Sequence, residues 1–204
     1  MTFIDSSVFT RFIGGLNPLF TLLFSLILGF LLLSFLLYED WFTIYRKESL
    51  KKLMRYIWLI ILFVSVAMVV DLHIVYPADM NILFPKSLLF YPVIAFFVEI
   101  VFHVLPLSLL LAILTFIFKA VHFEKIVWGC FIMVATIEPT YQVLFMDTYP
   151  TWAMATTWVN LFLFNMVQLF IFKQNGFISM FLFRIIYYMF WHILWGHFCL
   201  GFFF

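Results

Sequence analysis

Long apolar segments separated by short polar ones occupy most of this chain. Each apolar segment has about 20 residues or more, which is enough for a helix to cross a bilayer core of about 30 Å. The pattern predicts six transmembrane helices, at about residues 18–37, 53–75, 88–118, 126–145, 152–172 and 177–200. Since the number of spans is even, both termini are expected on one side of the membrane. We therefore expect a single all-α domain over residues 1–204, a polytopic membrane helix bundle.

Two prolines fall inside the predicted spans. Pro106 lies in the third span, which is longer than a bilayer requires, so we expect that span to be tilted or bent there. Pro139 lies in the fourth span. Because proline has no N–H to donate, each of these residues leaves a backbone carbonyl one turn earlier without its helical partner. We expect these carbonyls to lie near the polar residues described below.

The composition supports a membrane protein and argues against a soluble one. Apolar residues make up 67% of the chain and charged residues only 10%, against roughly a quarter charged in a soluble domain. The net charge of +1 gives no reason to expect a nucleic-acid partner. Cys130 and Cys199 are predicted near opposite membrane faces, so we expect no disulfide between them.

The distribution of basic residues predicts the orientation. Most of them fall in the first, third and fifth loops, and only two lie on the other side. The positive-inside rule then places these loops in the cytoplasm and both termini outside. The basic residues of the first, third and fifth loops are Arg46, Lys47, Lys51, Lys52, Arg55, Lys119, Lys125 and Lys173, and those on the other side are Arg11 and Lys86. The lipid bilayer is thus the first partner that the sequence implies.

Polar side chains inside the spans carry the most information about function, because a charge at the bilayer centre costs about 2.5–3.5 kcal/mol on insertion scales. Counted at 1.5 Å per residue, four of them fall about 12–17 Å below the outer edge, on four different spans. These four are Glu99, Glu138, Asn160 and His192, and His103 lies one turn deeper. We expect these side chains to form one polar layer.

Three further polar residues, Gln142, Tyr188 and Arg184, are expected to support this layer. Gln142 follows Glu138 by four residues and shares its helix face. Tyr188 lies on one stripe with Arg184 and His192. Arg184 is closer to the cytoplasmic side, so we expect a structural role in which it extends to the aqueous boundary or pairs with a carbonyl. Asn165 is expected to bond to a neighbouring helix.

Three kinds of chemistry fit carboxylates and imidazoles at one depth. They suit general acid–base activation of water for hydrolysis. They also suit a divalent metal such as zinc, or iron, for which the ligands would be Glu99, His103, Glu138 and His192, although the spacing is not the His-Glu-x-x-His pattern. A proton or ion pathway is the third possibility. A purely structural Glu99–His103 pair that joins helices also stays open.

The segment Ala95-Phe96-Phe97-Val98-Glu99-Ile100-Val101-Phe102-His103 resembles the first motif of the CAAX-processing and bacteriocin-processing (CPBP) intramembrane proteases. That motif reads Glu-Glu-x-x-x-Arg, usually with Phe before the Arg. Glu99 matches the second Glu and Phe102 the Phe, whereas Val98 and His103 replace the first Glu and the Arg. The stretch from Arg184 to Gly196 also resembles a pattern of short prokaryotic membrane proteins, Arg-x-x-Tyr-Tyr-x-x-Trp-His-x-x-Trp-Gly.

The resemblance implies a divergent CPBP-like intramembrane endopeptidase of a prokaryotic cell membrane, acting on a membrane peptide or protein. Glu99 or Glu138 would be the general base, and His103 would orient Glu99. His192 would hold or protonate the reacting group, and Asn160 would polarise the scissile carbonyl. The alternatives are an inactive relative, a non-catalytic immunity, assembly or scaffold factor, and a small proton or ion pathway.

Overall fold

The computed structural model describes residues 16–74, 82, 84–119, 121–144 and 149–196. All regular structure within these residues is helical, and six helices are long and apolar enough to cross a membrane. In chain order, these spans are Pro18–Tyr38, Lys51–His73, Ser87–Ile117, Phe123–Val143, Thr151–Asn175 and Phe177–Trp195. The predicted polytopic helix bundle is confirmed, and the chain is a multi-pass integral membrane protein.

Three of the six spans contain a 3₁₀ or a π-helical turn. The second consists of α-helix Ser49–Leu53, a 3₁₀ turn Met54–Tyr56 and α-helix Ile57–His73. The third consists of α-helix Ser87–Val98, a π-helical turn Glu99–Val104 and α-helix Leu105–Ile117. The sixth consists of α-helix Phe177–Tyr188 and a π-helical turn Met189–Trp195. π-helical turns inside α-helices are rare in proteins, and those that occur are often found at functional sites.

The third span is one continuous helix, as expected, but its irregularity begins before Pro106. The π-helical turn Glu99–Val104 ends two residues before this proline. In this turn the N–H of Leu105 donates to the carbonyl of Ile100, five residues back. The wider turn places Glu99 and His103, four residues apart, on the same inner face of the span.

The fourth span is interrupted near Pro139, at Thr136, which separates α-helix Phe123–Ala135 from α-helix Ile137–Val143. The carbonyl that Pro139 leaves without a helical partner is that of Ala135. Asn165 of the fifth span donates to this carbonyl over 3.4 Å. The expectations of a freed carbonyl near the polar residues, and of a bond from Asn165 to a neighbouring helix, are both confirmed here.

Burial divides the spans into an outer and an inner group. Only 22% of the residues of the first span are buried inside the bundle, against 44% in each of the last three spans. One apolar core lies among the second, third, fifth and sixth spans, and a second core lies among the first, third, fourth, fifth and sixth. The third, fifth and sixth spans contribute to both cores and carry polar side chains between them.

The first loop is hydrogen-bonded to the start of the sixth span. The N–H groups of Phe177 and Ile178 donate to the carbonyls of Thr43 and Ile44, over 3.1 and 3.0 Å. Gly176 precedes them with a φ of +90°, and a Cβ there would lie 2.8 Å from the carbonyl oxygen of Ile44. Only glycine suits both the backbone conformation and this close approach.

Several sequence expectations fall on residues that are not described. The sixth span was expected to reach residue 200, and the described helix extends to Trp195 and Gly196. Arg11 and Cys199 lie outside the described residues, so the expected absence of a disulfide from Cys130 stays a prediction.

Candidate functional site

The guanidinium of Arg184 lies at the centre of a buried polar network. Its Nε donates to Oε1 of Glu99 over 2.6 Å. Its two terminal nitrogens donate to the two carboxylate oxygens of Glu138, over 2.9 and 2.8 Å. Arg184 is only 1% exposed. The sixth span is thus joined to the third and fourth by charge-assisted bonds, one of them bidentate.

Polar side chains of the fourth, fifth and sixth spans complete the partners of Arg184 and Glu138. The guanidinium donates to Oε1 of Gln168 over 2.6 Å and to Oδ1 of Asn165 over 3.3 Å. It also donates to the hydroxyl of Tyr188 over 3.3 Å. Gln142 donates to Oε1 of Glu138 over 3.3 Å. The five N–H groups of Arg184 therefore face six acceptors, and none is left for another ligand.

His103 lies between the two carboxylates. Its Nδ1 is 3.1 Å from Oε2 of Glu99, and its Nε2 is 3.8 Å from Oε2 of Glu138. Both distances are within ion-pair range, but neither contact is aligned as a hydrogen bond. His103 and Glu99 are fully buried. The imidazole therefore faces one carboxylate with each of its ring nitrogens.

At one edge of the network, three buried polar atoms keep the capacity to form a hydrogen bond. Oε1 of Glu99 accepts from both Arg184 and Gln168. In contrast, Oε2 of Glu99 and both ring nitrogens of His103 are buried without an aligned hydrogen bond to any described residue. Buried polar atoms in this state need an explanation, and the usual ones are a bound water or a catalytic role.

The charges of the network balance only when it holds a proton. Two carboxylates and one guanidinium leave one negative charge, and an unpaired charge is costly inside a bundle. A proton on His103, between Glu99 and Glu138, makes the network neutral.

The placement of Arg184 corrects one sequence expectation. Arg184 was expected to extend to the cytoplasmic boundary or to pair with a carbonyl, and instead it is buried between Glu99 and Glu138. Counting residues from span ends assumes straight helices of equal length. The third span has 31 residues and contains the π-helical turn Glu99–Val104, so depth counted along it does not match that of a straight helix. Because two carboxylates lie within its reach, the guanidinium of Arg184 pairs with them and does not extend to water.

Two predicted members of the layer have other contacts. Asn160 donates to the carbonyl of Phe63 over 3.1 Å and so joins the fifth span to the second. The imidazole of His192 stacks on Tyr91, with ring centroids 4.7 Å apart, and contacts the edge of Tyr188 at 5.1 Å. Tyr188 therefore contacts both His192 and Arg184. The roles expected for Asn160 and His192 in a reaction are not tested by these contacts.

The donor set does not fit the divalent metal that the sequence left open. In the described part of the chain, no group of three or more His, Cys, Asp and Glu side chains is placed to hold a metal ion. Both oxygens of Glu138 accept from Arg184, so the guanidinium is the cation that this carboxylate binds.

Gln168 is the member of the network that sequence reasoning missed. It donates to Oε1 of Glu99 and to the carbonyl of Met180, the latter over 3.4 Å. Its position only five residues before Lys173 suggests the boundary of the span. The sequence offered one signal that could have identified Gln168. It follows Asn165 by three residues and therefore shares its helix face.

The fold and the network define a multi-pass membrane protein with a buried ionic site between its third, fourth, fifth and sixth spans. A scan against protein-family models, a search of curated proteins and a search of solved structures each found no match for this chain. The assignment to the CPBP family therefore stays a prediction that rests on the two sequence segments described above.

Proposed function

We propose that this chain is an intramembrane endopeptidase-like hydrolase in which Glu99 and His103 activate a water molecule. One observation carries the proposal. Oε2 of Glu99 and the two ring nitrogens of His103 are the atoms of the network that keep hydrogen-bonding capacity, and Nδ1 lies 3.1 Å from Oε2. A water at this edge would have both a base and a proton carrier within reach.

The reaction needs no group beyond these side chains and water. The water oxygen attacks the carbonyl carbon of a peptide bond while its proton passes to Oε2 of Glu99. The C–N bond then breaks, and the same proton passes to the nitrogen of the leaving amine. His103 holds Oε2 in position and balances the charge on Glu99 as the proton moves. The products are a carboxylic acid and an amine.

Arg184 and Glu138 position the base in this proposal. Bonds from Arg184 and Gln168 fix Oε1 of Glu99, which leaves Oε2 as its reactive oxygen. In the CPBP motif that residues 98–103 resemble, an Arg stands where this chain has His103. Here a guanidinium reaches Glu99 from the sixth span instead. The proposal thus places the chain among divergent CPBP-like proteases of a prokaryotic cell membrane.

The test is cleavage of membrane peptides by the purified protein in liposomes. A library of single-span peptides is incubated with wild type, Glu99→Gln and His103→Gln, and products are measured by mass spectrometry. Both variants are expected to lose about 10²–10⁴-fold in rate, as for removal of a general acid or base. Glu124→Gln is the control, since it removes an exposed carboxylate that pairs with Lys173 away from the network, and it should stay near the wild-type rate. Wild-type-like cleavage by Glu99→Gln, or no cleavage of any peptide by the wild type, would contradict the proposal.

A second candidate function is a non-catalytic membrane factor whose network only joins helices. It is favoured by the complete pairing of Arg184, which connects four spans through bonds to Glu99, Glu138, Gln168 and Asn165. This candidate predicts that the triple variant Arg184→Met, Glu99→Gln, Glu138→Gln keeps its function if it folds. The hydrolase predicts that the same variant folds and does not cleave.

A further inference from the structure

The inner end of the second span carries a dense group of exposed cations. Five basic residues occur within ten positions of the chain, Arg46, Lys47, Lys51, Lys52 and Arg55, and all five are exposed. Glu48 is the one acidic residue among them, and it pairs with Lys52 at 3.7 Å. Lys47, Lys51 and Arg55 have no carboxylate partner among the described residues.

This basic segment is fixed in position on the bundle. Arg46 donates to the carbonyl of Gln174 over 3.0 Å and to the hydroxyl of Thr43 over 3.1 Å. The backbone of Thr43 and Ile44 accepts bonds from the start of the sixth span. The cations therefore stay at the level where helices leave the membrane, which is where lipid headgroups lie.

Apolar side chains continue from the cations into the span on the same side of the helix. Lys51, Met54, Arg55 and Trp58 follow the spacing i, i+3, i+4, i+7. Met54 is 66% exposed and Trp58 62% exposed, and Ile61 and Leu62 extend the exposed apolar stripe by another turn. A molecule bound along this stripe would meet cations at one end and an aromatic, apolar surface below them.

We propose that this stripe is a binding site for an anionic phospholipid. Lys51 and Arg55 bind the phosphate and the acidic headgroup, and one acyl chain packs along Trp58 and Leu62. A soluble phosphate compound would use only the cations, so the apolar half of the stripe favours a lipid. Each basic residue next to a span raises the affinity for anionic lipid about fivefold. The two cations together give a preference of roughly 25-fold over a neutral lipid.

The test uses the full-length protein in a neutral detergent. Phosphatidylglycerol and phosphatidylcholine with identical acyl chains are added, and lipid-bound species are counted by native mass spectrometry, with glycerol 3-phosphate as the soluble competitor. Wild type should retain phosphatidylglycerol roughly 25-fold better than phosphatidylcholine, and the double variant Lys51→Gln, Arg55→Gln should lose this preference. Glycerol 3-phosphate should not displace the lipid at equal concentration.

The matched control is Lys119→Gln, Lys125→Gln, which removes the same charge on the same side of the membrane from two other exposed positions. It should keep the preference. Equal retention of the two lipids by the wild type would overturn the proposal, and so would an equal loss in both double variants. Displacement of the lipid by equimolar glycerol 3-phosphate would show a phosphate site that uses only the cations, which also overturns it.

Discussion

Polar side chains occur in two kinds of setting inside this bundle. Glu99, His103, Glu138 and Arg184 form one connected network. Elsewhere, Asn160 donates to a backbone carbonyl, and the indole N–H of Trp195 donates to Asp71 over 2.6 Å. Both kinds join neighbouring spans. Among the described residues inside the bundle, only the network combines paired charges with polar atoms that keep hydrogen-bonding capacity, so a shared depth in the membrane is not sufficient to make a site.

The two settings should respond differently to mutation. Removing one member of a buried ion pair leaves a charge without its partner, which costs about 3–5 kcal/mol. Removing a neutral hydrogen bond between membrane helices costs about 0.6 kcal/mol on average and at most about 1.7. The predictions below use this difference, beginning with the largest effect.

Arg184→Met should cause the largest loss of stability. It leaves Glu99 and Glu138 buried without a cation, so we expect a loss of about 3–5 kcal/mol in unfolding free energy. Unfolding by denaturing detergent in bicelles, followed by circular dichroism, measures this loss. The control is Arg184→Met with Glu99→Gln and Glu138→Gln, which should recover most of it. Wild-type stability of Arg184→Met would show that the ion pairs do not hold the bundle together.

Glu138→Gln should have a smaller effect, because Glu99 still balances Arg184. We expect a loss of about 1–3 kcal/mol from the bidentate contact, measured by the same unfolding assay. The matched control is Glu124→Gln, which removes a carboxylate that pairs with Lys173 at the surface and is 64% exposed. A surface pair contributes about 0–1 kcal/mol, so an equal loss in both variants would contradict the distinction between buried and exposed pairs.

Asn160 and Asn165 of the fifth span should show the smallest effects. Asn165→Leu leaves the carbonyl of Ala135 without its donor and removes one acceptor from Arg184, so we expect a loss of about 1–2 kcal/mol. Asn160→Leu leaves only the carbonyl of Phe63, which keeps its place within a helix, and should cost about 0.6 kcal/mol. Equal losses in this assay would remove the distinction between the network and the outer contacts.

The fold could be predicted from the sequence almost completely, because each span is a nearly continuous apolar segment long enough to cross a bilayer. The number of spans, the interruption near Pro139 and the turn before the sixth span follow from apolar length, proline and glycine. The π-helical turn at Glu99 could not be predicted in the same way. It depends on how the third span packs against its neighbours, which the pattern of one segment does not contain.

The candidate site could be predicted only in part. Glu99, His103 and Glu138 stood out because charged and titratable groups are costly in a membrane, and the structure brings them together. The position of Arg184 could not be read from the sequence, since depth counted from span ends assumes straight helices, and the third and sixth spans both contain a π-helical turn. Gln168 was missed because an uncharged amide near the end of a span is a weak signal.

The most direct test of the central claim, that Glu99 and His103 act as one unit, is a double-mutant cycle on peptide cleavage in liposomes. Single-turnover rates are measured for wild type, Glu99→Gln, His103→Gln and the double variant. Residues that act as a unit show strongly non-additive losses. We predict that the double variant is no slower than the slower single variant. Losses that multiply in the double variant would show that the two residues act independently and would contradict this account.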